Sequence, residues 1–163
     1  MNALVIYDSL YGNTEKIARA IGNGLVAALG DDENVAVVPV GEVEADRLAT
    51  QDLLVVGAPT HGSRPSPPMH EFLASIPDNT LAGMKAIAFD TRTDMKELTG
   101  FVRLFGGIMD RMGYAAPKIA SSLEKKGARM ISSPEGFIVL GTEGPLREGE
   151  LERAASWARE TAA

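Results

Sequence analysis

The chain has 163 residues, 45% of them hydrophobic and 23% charged, with a net charge of −6 at pH 7. That is long enough to bury a core of its own, and its sign argues against nucleic acid or an anionic membrane as the main partner. With no cysteine and only His61 and His70, disulfides, thiolate nucleophiles, iron–sulfur clusters and zinc–thiolate centres are excluded, and a histidine-rich metal site lacks ligands.

Apolar runs alternate with helical patterns along the chain. Ala3-Leu4-Val5-Ile6-Tyr7 reads as a first strand, too short for a signal or membrane segment, which sets the expectation of a cytoplasmic protein. After a short loop, Ile17, Ala20, Ile21, Leu25, Val26 and Leu29 recur at helical spacing. Val35 to Val40 is a second strand, entered from the Gly30-Asp31-Asp32 turn. A short helix around Ala45 to Ala49 leads to Leu53-Leu54-Val55-Val56-Gly57, apolar throughout as a central parallel strand requires. A proline-rich loop from Ala58 to Pro68 precedes a helix to Ser75. Lys85 to Phe89 is the fourth strand, ending at Asp90-Thr91-Arg92. From 93 to 113, Met95, Leu98, Phe101, Val102, Phe105, Ile108, Met109 and Met112 keep helical spacing, an atypical insertion that either packs on the sheet or presents a Met/Phe surface to a partner. Ala116-Pro117 opens a further helix to Lys126. Arg129 to Ser132 and Phe137 to Leu140 read as two pieces of one interrupted fifth strand, and a last helix runs from Gly149 to about Glu160.

This alternation predicts one α/β domain over 1–163: a three-layer, doubly wound, five-stranded parallel sheet in the order 2-1-3-4-5. Ligands of such sheets sit at the carboxyl ends of strands 1 and 3. The loops beginning at Asp8, Ala58 and Asp90 would then converge on one crevice. The first joins a strand directly to a helix N-terminus, where several backbone N–H groups and the helix dipole favour a phosphate. Ser9 and Thr14 can add hydroxyls, Gly12 admits close backbone approach, and the loop holds no Lys or Arg. The plainer alternative is that Ser9 or Asn13 merely caps the helix.

Ser9-Leu10-Tyr11-Gly12-Asn13-Thr14 resembles the phosphate loop of the flavodoxin family, Ser/Thr-x-Thr/Tyr-Gly-x-Thr after the first strand. Val56-Gly57-Ala58-Pro59-Thr60-His61-Gly62 resembles that family's second flavin loop, and Asp90-Thr91-Arg92 falls where the third begins. The resemblance is strongest over 3–20 and 53–62 and weak over 93–113. It implies bound FMN, held by Ser9, Leu10, Tyr11, Gly12, Asn13 and Thr14 at its phosphate and edged by Pro59, Thr60, His61, Gly62, Ser63, Asp90, Thr91 and Arg92. It also implies electron transfer with a redox partner protein or a small donor or acceptor; a homodimer stays open as a further partner.

The chain departs from the pattern in one respect: neither later loop offers the aromatic that many flavodoxins stack on the ring. Phe89 reads as core, and His61 either meets the flavin or decorates the surface. Tyr11 either compensates in part or points to solvent. Arg64 and Arg92 either stabilise the reduced, anionic flavin or pair with Asp8, Asp90 or Asp94. Gly62 either flips its peptide toward the flavin's N5 or simply permits a tight turn.

Two other functions share these features, a small FMN-dependent NAD(P)H or quinone oxidoreductase and a flavin-free interaction module. A phosphoacceptor receiver domain does not fit: Asp8 stands alone, strand three ends in Gly57-Ala58-Pro59-Thr60, and no Lys follows strand five. Gly22-Asn23-Gly24 lies inside the first helix and is no dinucleotide fingerprint. Besides His61 no residue stands out as an acid or base, none is assigned a catalytic role, and no metal is expected.

Overall fold

Strand β1 (Ala3–Tyr7) is buried along its whole length because it separates two apolar layers. Leu4 and Ile6 point into one core, while Ala3, Val5 and Tyr7 point into the other. A continuous apolar run, instead of an alternating one, is the consequence. The computed structural model describes residues 1–30, 34–94 and 113–163.

Within these, β2 (Val35–Pro39) and β3 (Leu53–His61) flank β1 in parallel, and β5 (Lys85–Thr93) lies beyond β3. Two short strands share the far side of β5: β6 (Arg129–Met130) at its start and β7 (Glu135–Val139) at its end, both parallel to it. Counted as one interrupted strand, they complete the predicted doubly wound order. Helices α1 (Asn13–Leu29) and α5 (Glu150–Ala162) cover one face of the sheet. The short α2 (Ala45–Leu48), α3 (Pro67–Ser75) and α4 (Ala115–Lys125) cover the other.

Close packing explains the glycines inside α1, Gly22 against the Val37 side chain on β2 and Gly24 against α5. A Cβ at Gly24 would come within 2.3 Å of the Ala155 carbonyl oxygen on α5, so the two helices cross at a distance only glycine permits. At the start of α5, Glu150 is buried with its carboxylate accepting from the Ile138 amide, Arg147 and Arg153. Burial pushes that carboxyl up, but the Arg153, Ile138 and Arg147 bonds together hold it below the usual carboxylate range.

Two strands run further than their apolar cores predict. β3 continues through Ala58-Pro59-Thr60-His61, a stretch expected as loop, because it folds back on β4 (Arg64–Pro65) as an antiparallel hairpin. Gly62 (φ 54) and Ser63 (φ 67) form its two-residue turn, both left-handed as that turn type requires. β5 continues through Asp90-Thr91-Arg92-Thr93 because β7 pairs with this half of it. The helix expected over 93–113 falls on 95–112 almost entirely, outside the described residues, and so do Met95, Phe101, Phe105 and the rest of its apolar series.

Candidate functional site

The turn from β1 into α1 places Gly12 at the helix N-cap with φ 90, a left-handed conformation natural to glycine. The Ser9 hydroxyl oxygen accepts from the Gly12 and Glu15 amides at 3.1 and 3.2 Å. Ser9 therefore braces the loop from within, as the capping alternative anticipated. The amides of Asn13 and Thr14, in the first turn, have no intrahelical acceptor within reach. The Thr14 hydroxyl is buried and lies 2.7 Å from that of Thr91, which joins the first loop to the end of β5. Asn13 is buried as well, its amide nitrogen donating to the Glu143 carbonyl at 3.0 Å.

The end of β5 splits by face. Thr91 looks toward α1, whereas Asp90 and Arg92, two residues apart, look toward α4. Arg92 donates from Nε and one terminal nitrogen to the two Asp90 carboxylate oxygens at 2.7 and 2.8 Å. Its guanidinium carbon lies 3.6 Å from the centre of the Tyr114 ring. Gly136 on β7 makes room for this arrangement, since a Cβ there would stand 2.2 Å from the same guanidinium. Asp90 also accepts from the Ala116 amide at 2.8 Å, and the Thr60 hydroxyl oxygen accepts from Ala115 at 3.0 Å. Two residues expected to edge a cofactor thus cap the amino end of α4. Asp90 has no exposed surface, its carboxylate being turned onto Arg92 and the amino end of α4. Burial pushes that carboxyl above the usual carboxylate range, opposed by Arg92, the Ala116 amide and Thr60.

Between these elements opens a cleft of about 150 Å³. Its walls are Leu10, Tyr11, Asn13 and Thr14 from the first loop, Pro59 and Thr60 from β3, and Thr91, Arg92 and Thr93 from β5. Tyr11 and Leu10 keep 50% and 65% of their surface exposed at its mouth, so apolar area remains there for a ligand to cover. Ser9 and Gly12 belong to the loop but do not line the cleft, and Asp90 lies behind Arg92. His61, Gly62 and Ser63 are exposed on the hairpin and do not line it either; His61 faces a second groove beside α3 and α4. Val139 and Thr142, at the carboxyl end of β7, complete the lining, and sequence reasoning missed both. The position of the fifth strand beside the fourth was the signal that could have found them. Arg92 brings a cation to a pocket whose first loop has none.

The Flavodoxin family model matches residues 5–157. Among curated proteins, no relative is found. Solved structures share the fold. A flavodoxin from the domain Archaea is 23% identical with a TM-score of 0.74, the match covering 99% of this chain and 96% of that one. Flavodoxin 2 from Bacillus cereus is 22% identical with a TM-score of 0.74, covering 99% and 98%. The rubredoxin oxygen:oxidoreductase of Desulfovibrio gigas is 18% identical with a TM-score of 0.71, covering 99% of this chain and 35% of that larger one.

Proposed function

The chain belongs to the flavodoxin family, and from that premise we propose that it binds FMN and carries electrons between a donor and an acceptor. The observation that supports this most directly is the cleft itself, where the amino end of α1 meets the carboxyl ends of β3 and β5. Its donor set suits a phosphomonoester: the first-turn amides, the Thr14 and Thr91 hydroxyls, and the Arg92 guanidinium. The cleft is small, so a phosphate and its chain fit inside while a ring system would lie across the mouth, over the exposed faces of Tyr11 and Leu10. There Tyr11 would supply the aromatic surface that the later loops lack, and the Gly62 turn would offer its peptide to the ring.

FMN, when bound, supplies reversible one- and two-electron chemistry. The protein's part is to bind, orient and shield. The Asp90–Arg92 pair fixes the cation's position, and Leu10 and Tyr11 exclude water from one side. Hydroxyls, one carboxamide, one guanidinium and apolar side chains make up the lining, which equips the site for holding a cofactor and favours a carrier over a hydride-transferring oxidoreductase. The test is a titration of the cofactor-free protein with FMN and with riboflavin, read by flavin absorbance and fluorescence. FMN should bind far more tightly, by the worth of the phosphate contacts. Equal affinity for the two, or none for either, refutes the proposal.

A further inference from the structure

On the α3/α4 side of the sheet the protein carries a second, larger concavity of about 800 Å³. Its floor is apolar, with Pro65, Leu73 and Ala74 along it. Its rim is cationic: Arg64, Lys118, Lys125 and Lys126 face it, against Glu71 and Asp78. This stands in contrast to the chain as a whole, which has 22 acidic residues to 16 basic. Lys126 is paired with Asp78 at 3.1 Å, and the Lys118 ammonium donates to the Ser63 carbonyl. Arg64 and Lys125 are exposed and have no side-chain partner among the described residues.

We infer that this groove docks an acidic electron-transfer protein, an inference that rests on the proposed FMN function. Three observations carry it. First, the unpaired cations complement negative charge, which steers and registers an encounter. Second, the positive groups are spread along the groove: Lys118 and Lys125 are two turns apart on α4, about 10 Å along its axis, and Arg64 lies across from them on the hairpin. A single small anion cannot meet all of them, whereas the side of a folded partner can. Third, the β3–β4 hairpin borders both the groove and the cofactor cleft. Thr60 lines the cleft while His61 and Arg64, next along the same hairpin, line the groove, and the Lys118–Ser63 bond holds that hairpin against α4. The groove starts at that hairpin and runs down α4 away from the cleft, so a partner seated on it meets the cleft's rim at its upper end, around His61 and Arg64.

The experiment is an amide chemical-shift titration of the isotope-labelled, FMN-loaded protein with an acidic c-type cytochrome, and separately with a basic one. The acidic cytochrome should perturb the His61–Arg64 hairpin, α3 and α4, with affinity falling as salt rises. The double charge reversal Arg64→Glu/Lys125→Glu should weaken binding on the order of tenfold, since two exposed charge contacts become repulsive. The thermal melt of the variant should not move, because both side chains are exposed. Perturbation of another face, equal binding of both cytochromes, no binding, or an affinity indifferent to the reversal each overturns the inference. Flavin absorbance in the same samples reads FMN uptake independently. A protein that takes up no FMN on loading overturns the cofactor proposal, whereas a loaded protein that fails the titration overturns the docking inference alone.

Discussion

Replacing Asp90 with Ala should remove more stability than any other single change at the site. Asp90 has no exposed surface, and only 18% of the Arg92 side chain is exposed. The substitution leaves a largely buried guanidinium without its counter-charge, and removing one member of a buried ion pair costs about 3–5 kcal/mol. Arg92 retains the Tyr114 ring at 3.6 Å and some water, which favours the lower end of that range. The Ala116 amide loses its acceptor as well, adding about 1 kcal/mol. The sum is about 4 kcal/mol, a large share of the 5–15 kcal/mol typical of a domain, and it should lower the melting temperature by roughly 8–16 °C. Urea titration followed by tryptophan fluorescence measures it directly: Trp157 is the only tryptophan, and its ring sits 5.9 Å from that of Phe137 in the core. The double variant Asp90→Ala/Arg92→Met removes both charges and should recover about half of the loss. A single variant within about 1 kcal/mol of the parent, or a double variant no more stable than the single, would show that the pair does not hold this corner of the fold.

Two further changes probe the cleft and the start of α5. Thr14→Val deletes one of the hydroxyls proposed for the phosphate and breaks the 2.7 Å contact with Thr91, so FMN affinity should fall by about 1–3 kcal/mol while riboflavin affinity changes much less; parallel fluorescence titrations decide it, and an equal loss for both ligands would move Thr14 away from the phosphate. Glu150→Gln should lower stability at pH 7 by about 1–2 kcal/mol, discounted because Arg147 and Arg153 are partly solvated. Because the native Glu150 carboxyl lies below its ordinary value of about 4.3, its contribution is complete above that value and disappears as pH falls through the native one. The gap between parent and variant should therefore stay constant from pH 7 to about pH 5 and narrow as pH falls below about 4.3 in urea titrations; a gap that widens or is unchanged at pH 3 contradicts the assignment.

The layer arrangement was legible because the signals were local. A fully apolar strand such as Leu53–Val56 makes sense only between two covered faces, and strand-turn-helix at Tyr7–Ile17 announces a parallel crossover. The first loop was legible for the same reason, since its chemistry lies within a few consecutive residues. The extensions of β3 and β5 were not, because Pro59 and Asp90 are poor strand formers in isolation and are extended here through pairing of β3 with β5 and β4 and of β5 with β7.

The fate of the later loops turns on the same distinction between local and long-range causes. Asp90 and Arg92 alternate along β5 and so share a face, a pairing that the sequence permits but does not require. What decides it lies elsewhere in the chain: Gly136 on the neighbouring strand vacates the space, Tyr114 floors it, and the amino end of α4 adds donors that only a carboxylate or hydroxyl could satisfy. Asp90 and Thr60 are consequently used up as caps, and Arg92 is held rigid at the cleft wall. A loop that resembles a cofactor-edging segment can thus give half of its polar residues to a helix terminus. Only the register of β5 against β7 reveals which half remains to face a ligand.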